Sequence, residues 1–291
     1  MSHRSGRRPP PLPSLAGASP VRPPVVRPPV VRPPVGRLPV VRPPVGCLPV
    51  RAVGRRAGTV LAPPAVLAAA HIVPAATWLP GLRLRCFPSL AGTGRPGHVA
   101  LTFDDGPDPV STPRFLDALD RLGVRATFFV LGAQVVRHPE VVRETVRRGH
   151  EVGVHGWSHD RPWLPSPLRD RRDLARAAAA VRGATGRSPR WYRPPYGILT
   201  SGRWAAARSG GLRPVLWTAW ARDWTAGATA ASVRATAAAE LRGGGTLLLH
   251  DTDLVSAPGC WHATLAALPG IVGDCREAGL RVGPLAEHGT D

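Results

Sequence analysis

The chain has 291 residues and a formal net charge of +19, from 38 basic and 19 acidic residues. Lys and Asn are both absent, so all 38 basic residues are Arg and N-glycosylation is excluded. Four Cys are too few for a disulfide scaffold, no long apolar run free of Pro and charge suits a polytopic membrane protein, and alternating apolar patterns exclude a wholly disordered chain.

The charge is uneven. Residues 1–98 hold 14 Arg and no acid, with 21 of the 35 Pro, whereas residues 99–291 hold 24 Arg and 19 acids. From Val21 a five-residue unit of the type VRPPV repeats. Adjacent prolines forbid helix and sheet ladders, so a disordered, polyproline-II-like segment is expected over 1–56. It reads as a low-complexity tail, or as sequence upstream of the true start, rather than as a spacer binding anionic polymer. A nucleic-acid partner is not expected, because no aromatics interleave with the arginines. Residues 57–97 form a second segment. Arg55 and Arg56 precede an apolar stretch, and Ala68–Ala70 or Ala75–Ala76 offer small residues as in a signal peptide. Pro63, Pro64 and Pro74 argue against a straight spanning helix. Export or peripheral association with membrane or cell wall is expected; the alternative is a short apolar arm packed on the domain.

A globular domain is expected over 98–291. Residues 98–103 read as a strand. Thr112 and Pro113 give N-cap and N1 signals, Phe115, Leu116, Leu119 and Leu122 one helical face, and Gly123 its end. Residues 126–132 are the next strand, 139–148 a helix with Val141, Val142 and Val146 inward, and 151–155 a strand. A helix covers 168–183. A fourth unit starts at 191–195, with a helix near 200–209. Residues 214–220 are strand-like, 228–241 helical, 245–251 a buried strand, 261–278 helical and 280–285 a final strand. About seven strand–helix units in strict alternation imply parallel strands, in a barrel or a doubly wound open sheet. Both architectures put sites at the carboxyl ends of strands.

The unusual polar residues fall at those ends. Asp104 and Asp105 close the first strand, His155 and His159 follow the third, Arg193 and Tyr196 lie in the fourth unit, Asp223 follows the fifth strand, and His250 and Asp251 end the sixth. Each alone is ordinary, as a capping Asp or a His on a loop carbonyl. One per strand end is what an active centre at a barrel mouth requires. The His-x-x-x-His spacing turns two imidazoles to one point, and a carboxylate completes a three-ligand face for a divalent metal with open positions.

Five blocks carry a resemblance: TFDDGP (102–107), HGWSH (155–159), RPPYG (193–197), RDW (222–224) and LLLHD (247–251). Over residues 98–285 the chain resembles a polysaccharide deacetylase of the NodB-homology type, carbohydrate esterase family four. The resemblance implies an α/β fold, a distorted (β/α) barrel of about seven parallel strands. It implies metal ligation by Asp105, His155 and His159, with Zn2+ first and Co2+, Ni2+ or Mn2+ as other choices. Asp104 resembles the general base, Arg193 the residue that pairs with and orients it, and His250 the general acid, oriented by Asp223. The Tyr196 backbone N–H would help to stabilise the oxyanion, and Trp157, Trp224, Pro194 and Tyr196 would contact substrate. Of the other tryptophans beside the blocks, Trp217 is expected in the core. The implied enzyme is an extracytoplasmic, monomeric carbohydrate N-deacetylase acting on acetylated polysaccharide or oligosaccharide, peptidoglycan or chitin-like. An O-acetyl xylan-type esterase and a non-catalytic wall-glycan-binding module are the alternatives. Two departures stand out: Trp220 occupies the first Asp position of the family's Asp-x-x-Asp-Trp, and Gly156 stands where Ser or Thr is common. Cys260 and Cys275, flanking the last helix, are either a disulfide or free buried thiols.

Overall fold

A computed structural model describes residues 64–74, 79–161 and 166–290. The Pro/Arg repeats, Cys47 and Ala75–Ala76 lie outside the described residues. Strand β1 (His98–Asp104) is buried along its whole length. Burial on both faces is the state of a parallel strand covered by helices, which is why it reads as a nearly continuous apolar run. The strands that follow are β2 (Thr127–Leu131), β3 (Glu151–Gly156), β4 (Trp191–Tyr192), β5 (Arg213–Pro214), β6 (Ala219–Trp220), β7 (Thr246–His250) and β8 (Arg281–Gly283). Every pairing is parallel. The order β5-β4-β3-β2-β1-β7-β6 has no pairing between β5 and β6 among the described residues, so the barrel is open there. This is the expected distorted barrel of seven strands. The predicted last strand is β8, which pairs only with His98–Ala100 at the start of β1.

Among the described residues ten α-helices accompany the strands: α1 (Pro64–Ile72), α2 (Pro80–Cys86), α3 (Pro88–Ala91), α4 (Thr112–Leu122), α5 (Gly132–Arg137), α6 (Pro139–Arg147), α7 (Pro167–Thr185), α8 (Ser201–Ser209), α9 (Ala230–Glu240) and α10 (Trp261–Glu277). Phe115, Leu116 and Leu119 of α4 are buried, and Gly123 ends the helix at φ 63°. There the lack of a Cβ makes the left-handed turn inexpensive. Thr112 is the first helical residue rather than the cap; its hydroxyl donates to the buried Asp251. Helix α5 was not predicted.

One expectation changes, and one open alternative is decided. The stretch 214–220 is not one strand: the Leu216 N–H donates to Leu90 O at 2.7 Å, which takes residues 215–218 out of the ladder between β5 and β6. The described residues before His98 also pack on the barrel. Leu90 and Ala91 are buried, and the buried Arg83 donates to Trp217 O at 2.8 Å. Composition marks where the arginines thin out, and packing begins earlier. Finally, Cys260 and Cys275 are free, the first at the N-cap of α10 and the second inside its last turn. Fifteen residues of helix separate them by about 22 Å, far beyond the Cα spacing a disulfide spans. Burial pushes both thiols up to about 11.

Candidate active site

The carboxyl ends of the strands converge on a cavity of about 340 Å³. β1 alternates, so Thr102 and Asp104 share a face. Beyond Asp104 the backbone swings to φ 79° at Asp105, a conformation few residues with a Cβ adopt. That turn brings the second carboxylate to the cavity beside the first. Gly106 is required next: a Cβ there would lie 2.8 Å from Asp251 Oδ2.

Asp105 faces two imidazoles. His155 Nε2 lies 3.3 Å and His159 Nε2 3.4 Å from Asp105 Oδ1. One ligand atom from each of the three residues fits within 4.8 Å of the others. His155 Nδ1 donates to Arg193 O at 2.8 Å, since a carbonyl can only accept, and the lone pair on Nε2 is left facing Asp105. Asp105 Oδ1 is buried and accepts no hydrogen bond. Burial would raise the Asp105 carboxyl, but the imidazoles of His155, His250 and His159 hold it down at about 2. Burial pushes His159 down to about 4, into its neutral, ligating form. An ionised buried oxygen without a donor, facing two imidazole nitrogens, fits a divalent cation.

Asp104 is fixed from the other side. The fully buried Arg193 donates from Nη1 to Asp104 Oδ1 and to Thr102 Oγ1, both at 2.8 Å, and from Nη2 to Leu216 O at 2.9 Å. Thr102 passes its own proton to Leu247 O at 2.6 Å. The departure of 215–218 from the ladder is therefore what turns the Leu216 carbonyl to the guanidinium. Thr102 was missed as a contributor, although its place two residues before Asp104 puts it on the same face.

Across the cavity, His250 Nδ1 donates to Asp223 Oδ1 at 2.8 Å, and the His250 N–H donates to Asp223 Oδ2 at 2.8 Å. Thr264, also missed, donates to Asp223 Oδ2 at 2.9 Å. Burial would lower the His250 imidazole, but the Asp223 carboxylate, with Asp105 and Asp104 beyond it, lifts it to about 10. His250 Nε2 points inward, 3.8 Å from Asp105 Oδ2. Tyr196 sits at φ 56°, its ring edge-on to His159 at 4.3 Å and beneath the Arg161 guanidinium at 4.3 Å.

The aromatic wall differs from expectation. Trp224 and Pro194 line the cavity, as does Trp217, which is 6% exposed and belongs to the core as well. Trp220 lines it too and stacks on Trp224, centroids 4.3 Å apart and planes at 16°. Trp157 does not line it. Its ring fills the space that the missing side chain of Gly132 leaves, and the Arg176 guanidinium covers it at 3.5 Å. The Gly156 backbone, at φ 122°, turns this residue away from its histidine neighbours.

Known proteins resemble this chain in sequence and in fold. The family model described as polysaccharide deacetylase matches residues 91–215. A chitooligosaccharide deacetylase of Bradyrhizobium sp. (strain ANU 289) is 36% identical over 200 residues, which cover 65% of this chain and 89% of that protein. The chain belongs to the polysaccharide deacetylase family. A peptidoglycan-N-acetylglucosamine deacetylase, PgdA of Listeria monocytogenes, is 36% identical over 163 residues, 55% of this chain and 34% of that longer protein. Among solved structures, a family 4 carbohydrate esterase from Streptomyces lividans in complex with acetate matches with a TM-score of 0.58 at 33% identity, covering 64% of this chain and 92% of that one. The fold is thus the NodB-like barrel of this family. Asp223 and His250 lie beyond the stretch the family model matches, so their pairing rests on geometry.

Proposed function

We propose that the chain is a metal-dependent N-deacetylase of N-acetylhexosamine polymers, peptidoglycan or chitin-like. The observation that carries this reading is the juxtaposition of Asp105, His155 and His159 between Asp104–Arg193 on one side and His250–Asp223 on the other. The names of the relatives support the substrate class.

Asp105, His155 and His159 would hold the cation, with zinc favoured by the nitrogen and carboxylate donors and Co2+, Ni2+ or Mn2+ also compatible. A cation held there supplies Lewis acidity to the attacking water and to the acetyl carbonyl. Asp104, oriented by Arg193, takes the proton of the water as its oxygen bonds to the carbonyl carbon. The Tyr196 N–H donates to the carbonyl oxygen as charge develops on it. His250, kept protonated by Asp223, gives its proton to the amide nitrogen as the C–N bond breaks, so that acetate and a free amine leave. Trp217, Trp220 and Trp224 offer faces to sugar rings at the cavity wall, with Pro194 and Tyr196 beside them.

One chain supplies every group named, which supports a monomeric enzyme. A wall-glycan substrate places it outside the cytoplasm. The test is acetate release from N-acetylglucosamine oligomers and from peptidoglycan, with chelator, metal add-back and Asp104→Asn. Metal-restored release that the variant lacks is expected. Release from acetylated xylan alone would move the activity to ester cleavage, and no metal-dependent release from any acetylated glycan would end the reading.

A further inference from the structure

Helices α1 and α2 are built inside out. A helix against a water-soluble domain hides its apolar stripe and exposes its polar one. In α1 the only buried residue is His71, and in α2 it is Arg83. The large apolar side chains face solvent instead: Val66, Leu67 and Ile72 in α1, with Val73 just past its end. Val66 and Val73, seven residues apart, share one face, opposite His71. Leu82 and Leu84 of α2, flanked by Leu79 and Phe87, are also exposed. These eight stand among fifteen exposed large apolar residues in the described part of the chain, so more than half fall in a stretch of 22 residues. Trp204 of α8, 40% exposed, shares a cleft with Leu90, Arg208 and Arg213.

The polar groups in this stretch are not idle. Arg83 donates to Trp217 O, and His71 Nδ1 lies 3.3 Å from Ser201 Oγ. They anchor the two helices to the barrel while the apolar sides look outward. No acidic residue occurs before Asp104, and residues 1–56 hold eleven Arg. No helix among the described residues is long and apolar enough to cross a membrane.

We infer that residues 64–87 dock the enzyme onto the surface of an anionic lipid bilayer. Val66, Leu67, Val73, Leu82 and Leu84 enter the headgroup–acyl boundary, and the exposed Arg85 together with arginines upstream in the chain meets the lipid phosphates. An outward apolar face requires an apolar medium, and an uninterrupted basic surplus selects anionic headgroups over neutral ones. The inference stands apart from the proposed chemistry, because none of these side chains belongs to the cavity.

The experiment is vesicle co-sedimentation of the full chain, with phosphatidylglycerol–phosphatidylcholine vesicles against phosphatidylcholine alone. Binding to the mixed vesicles is expected, weaker on the neutral ones and weakened by salt. The combined variant Val66→Ser, Leu67→Ser, Val73→Ser, Leu82→Ser and Leu84→Ser should lower the partition coefficient about tenfold or more, at an unchanged melting temperature. A second variant, Leu67→Glu with Leu84→Glu, should lose binding by charge as well as by polarity. The inference is overturned if the chain stays in the supernatant with both vesicle types. It is equally overturned if the folded variants bind like the parent, which would leave the arginines alone responsible. A concentration-dependent dimer that the serine variant abolishes, without vesicle binding, would give the face to a second copy of the chain.

Discussion

His250 at the mouth of the barrel and the histidines at its base are buried in opposite electrostatic settings. At the carboxyl ends of the strands, His250 lies against the Asp223 carboxylate and is lifted to about 10. At the amino ends, His150 precedes β3 and His98 opens β1, and no carboxylate hydrogen-bonds either. The His150 Nδ1 accepts the Ala126 N–H at 3.2 Å, and burial pushes the ring down to about 4. His288 donates from Nε2 to Gly92 O and Gly244 O, so its Nδ1 accepts from His98 Nδ1 at 2.8 Å. Burial pushes His288 down to about 4 as well, and His98 is lowered. Burial opposes charge at both ends, and at His250 the hydrogen-bonded Asp223 carboxylate reverses the outcome, whereas His159, crowded by the His155 imidazole, stays lowered. The mouth can therefore hold a proton for donation, while the base of the barrel uses imidazole as a neutral spacer and clasp.

The sharpest way to break this contrast is to disable the mouth. Asp104→Asn or His155→Ala is expected to cost about 4 kcal/mol or more of transition-state stabilisation, about a thousandfold in kcat/KM. Acetate release against an N-acetylglucosamine oligomer measures it, and near-parental rates would contradict the roles proposed for these residues. The melting temperature of the Asp104→Asn variant should change little in comparison, because Arg193 keeps Thr102 and Leu216 O as acceptors.

Asp223→Asn tests the carboxylate itself. With Asn the His250 imidazole loses its charge partner, and its pKa falls from about 10 toward or below the ordinary value. The alkaline limb of the pH–rate profile should move to lower pH, with kcat at neutral pH down about a hundredfold. The linkage sign agrees: a raised folded pKa gives stability that is present below about 6.5 and lost as pH rises through about 10. The variant should therefore lose alkaline-sensitive stability that the parent shows. An unchanged alkaline limb would remove His250 from the role of acid.

The base of the barrel should respond in the other direction. The depressed His150 binds no proton when folded between about pH 6.5 and 4, whereas the unfolded chain does. Stability is then full above about 6.5 and falls as the pH drops, by about 2 kcal/mol between pH 7 and 5 for this one group. His150→Phe should flatten that slope in urea midpoints. It should also cost about 1 kcal/mol at every pH, because the Ala126 N–H loses its acceptor. The slope and the offset separate titration from the lost hydrogen bond.

The mouth was legible in the sequence because each of its side chains comes from a short block ending a strand. Asp104, His155 and Arg193 needed only the alternation of apolar runs to be placed. Harder to read were groups set by backbone direction. The Leu216 carbonyl reaches Arg193 only because residues 215–218 leave the ladder, and an unbroken PVLWTAW gives no sign of that. Trp157 was misassigned for a related reason. Its neighbours His155 and His159 face the cavity, but the space beside Gly132, on a helix the apolar pattern did not reveal, takes the ring away. The apolar pattern over 58–82 suggested an export or membrane role, yet only the structure showed which side chains face outward.

Trp220 gives the smallest expected effect and the finest test of the mouth. It stands where the family resemblance expects an acid, yet its backbone N–H donates to Glu240 and its ring stacks on Trp224, which lies 6.0 Å from the His250 ring. Its Nε1 is buried and unpartnered. A sugar hydroxyl in the cavity would supply the acceptor that nitrogen lacks, with the pyranose against the part of the ring that Trp224 leaves uncovered. Trp220→Phe keeps the stack and removes the donor; Trp220→Ala removes both. If the indole serves substrate, Phe should raise KM about threefold and Ala about tenfold, with kcat nearly constant, because the contact is made equally in ground and transition states. If Trp220 instead holds Trp224 and His250 in place, Ala should lower kcat and shift the alkaline limb, and Phe should do neither. The split between KM and kcat therefore decides whether this indole belongs to the substrate or to the acid.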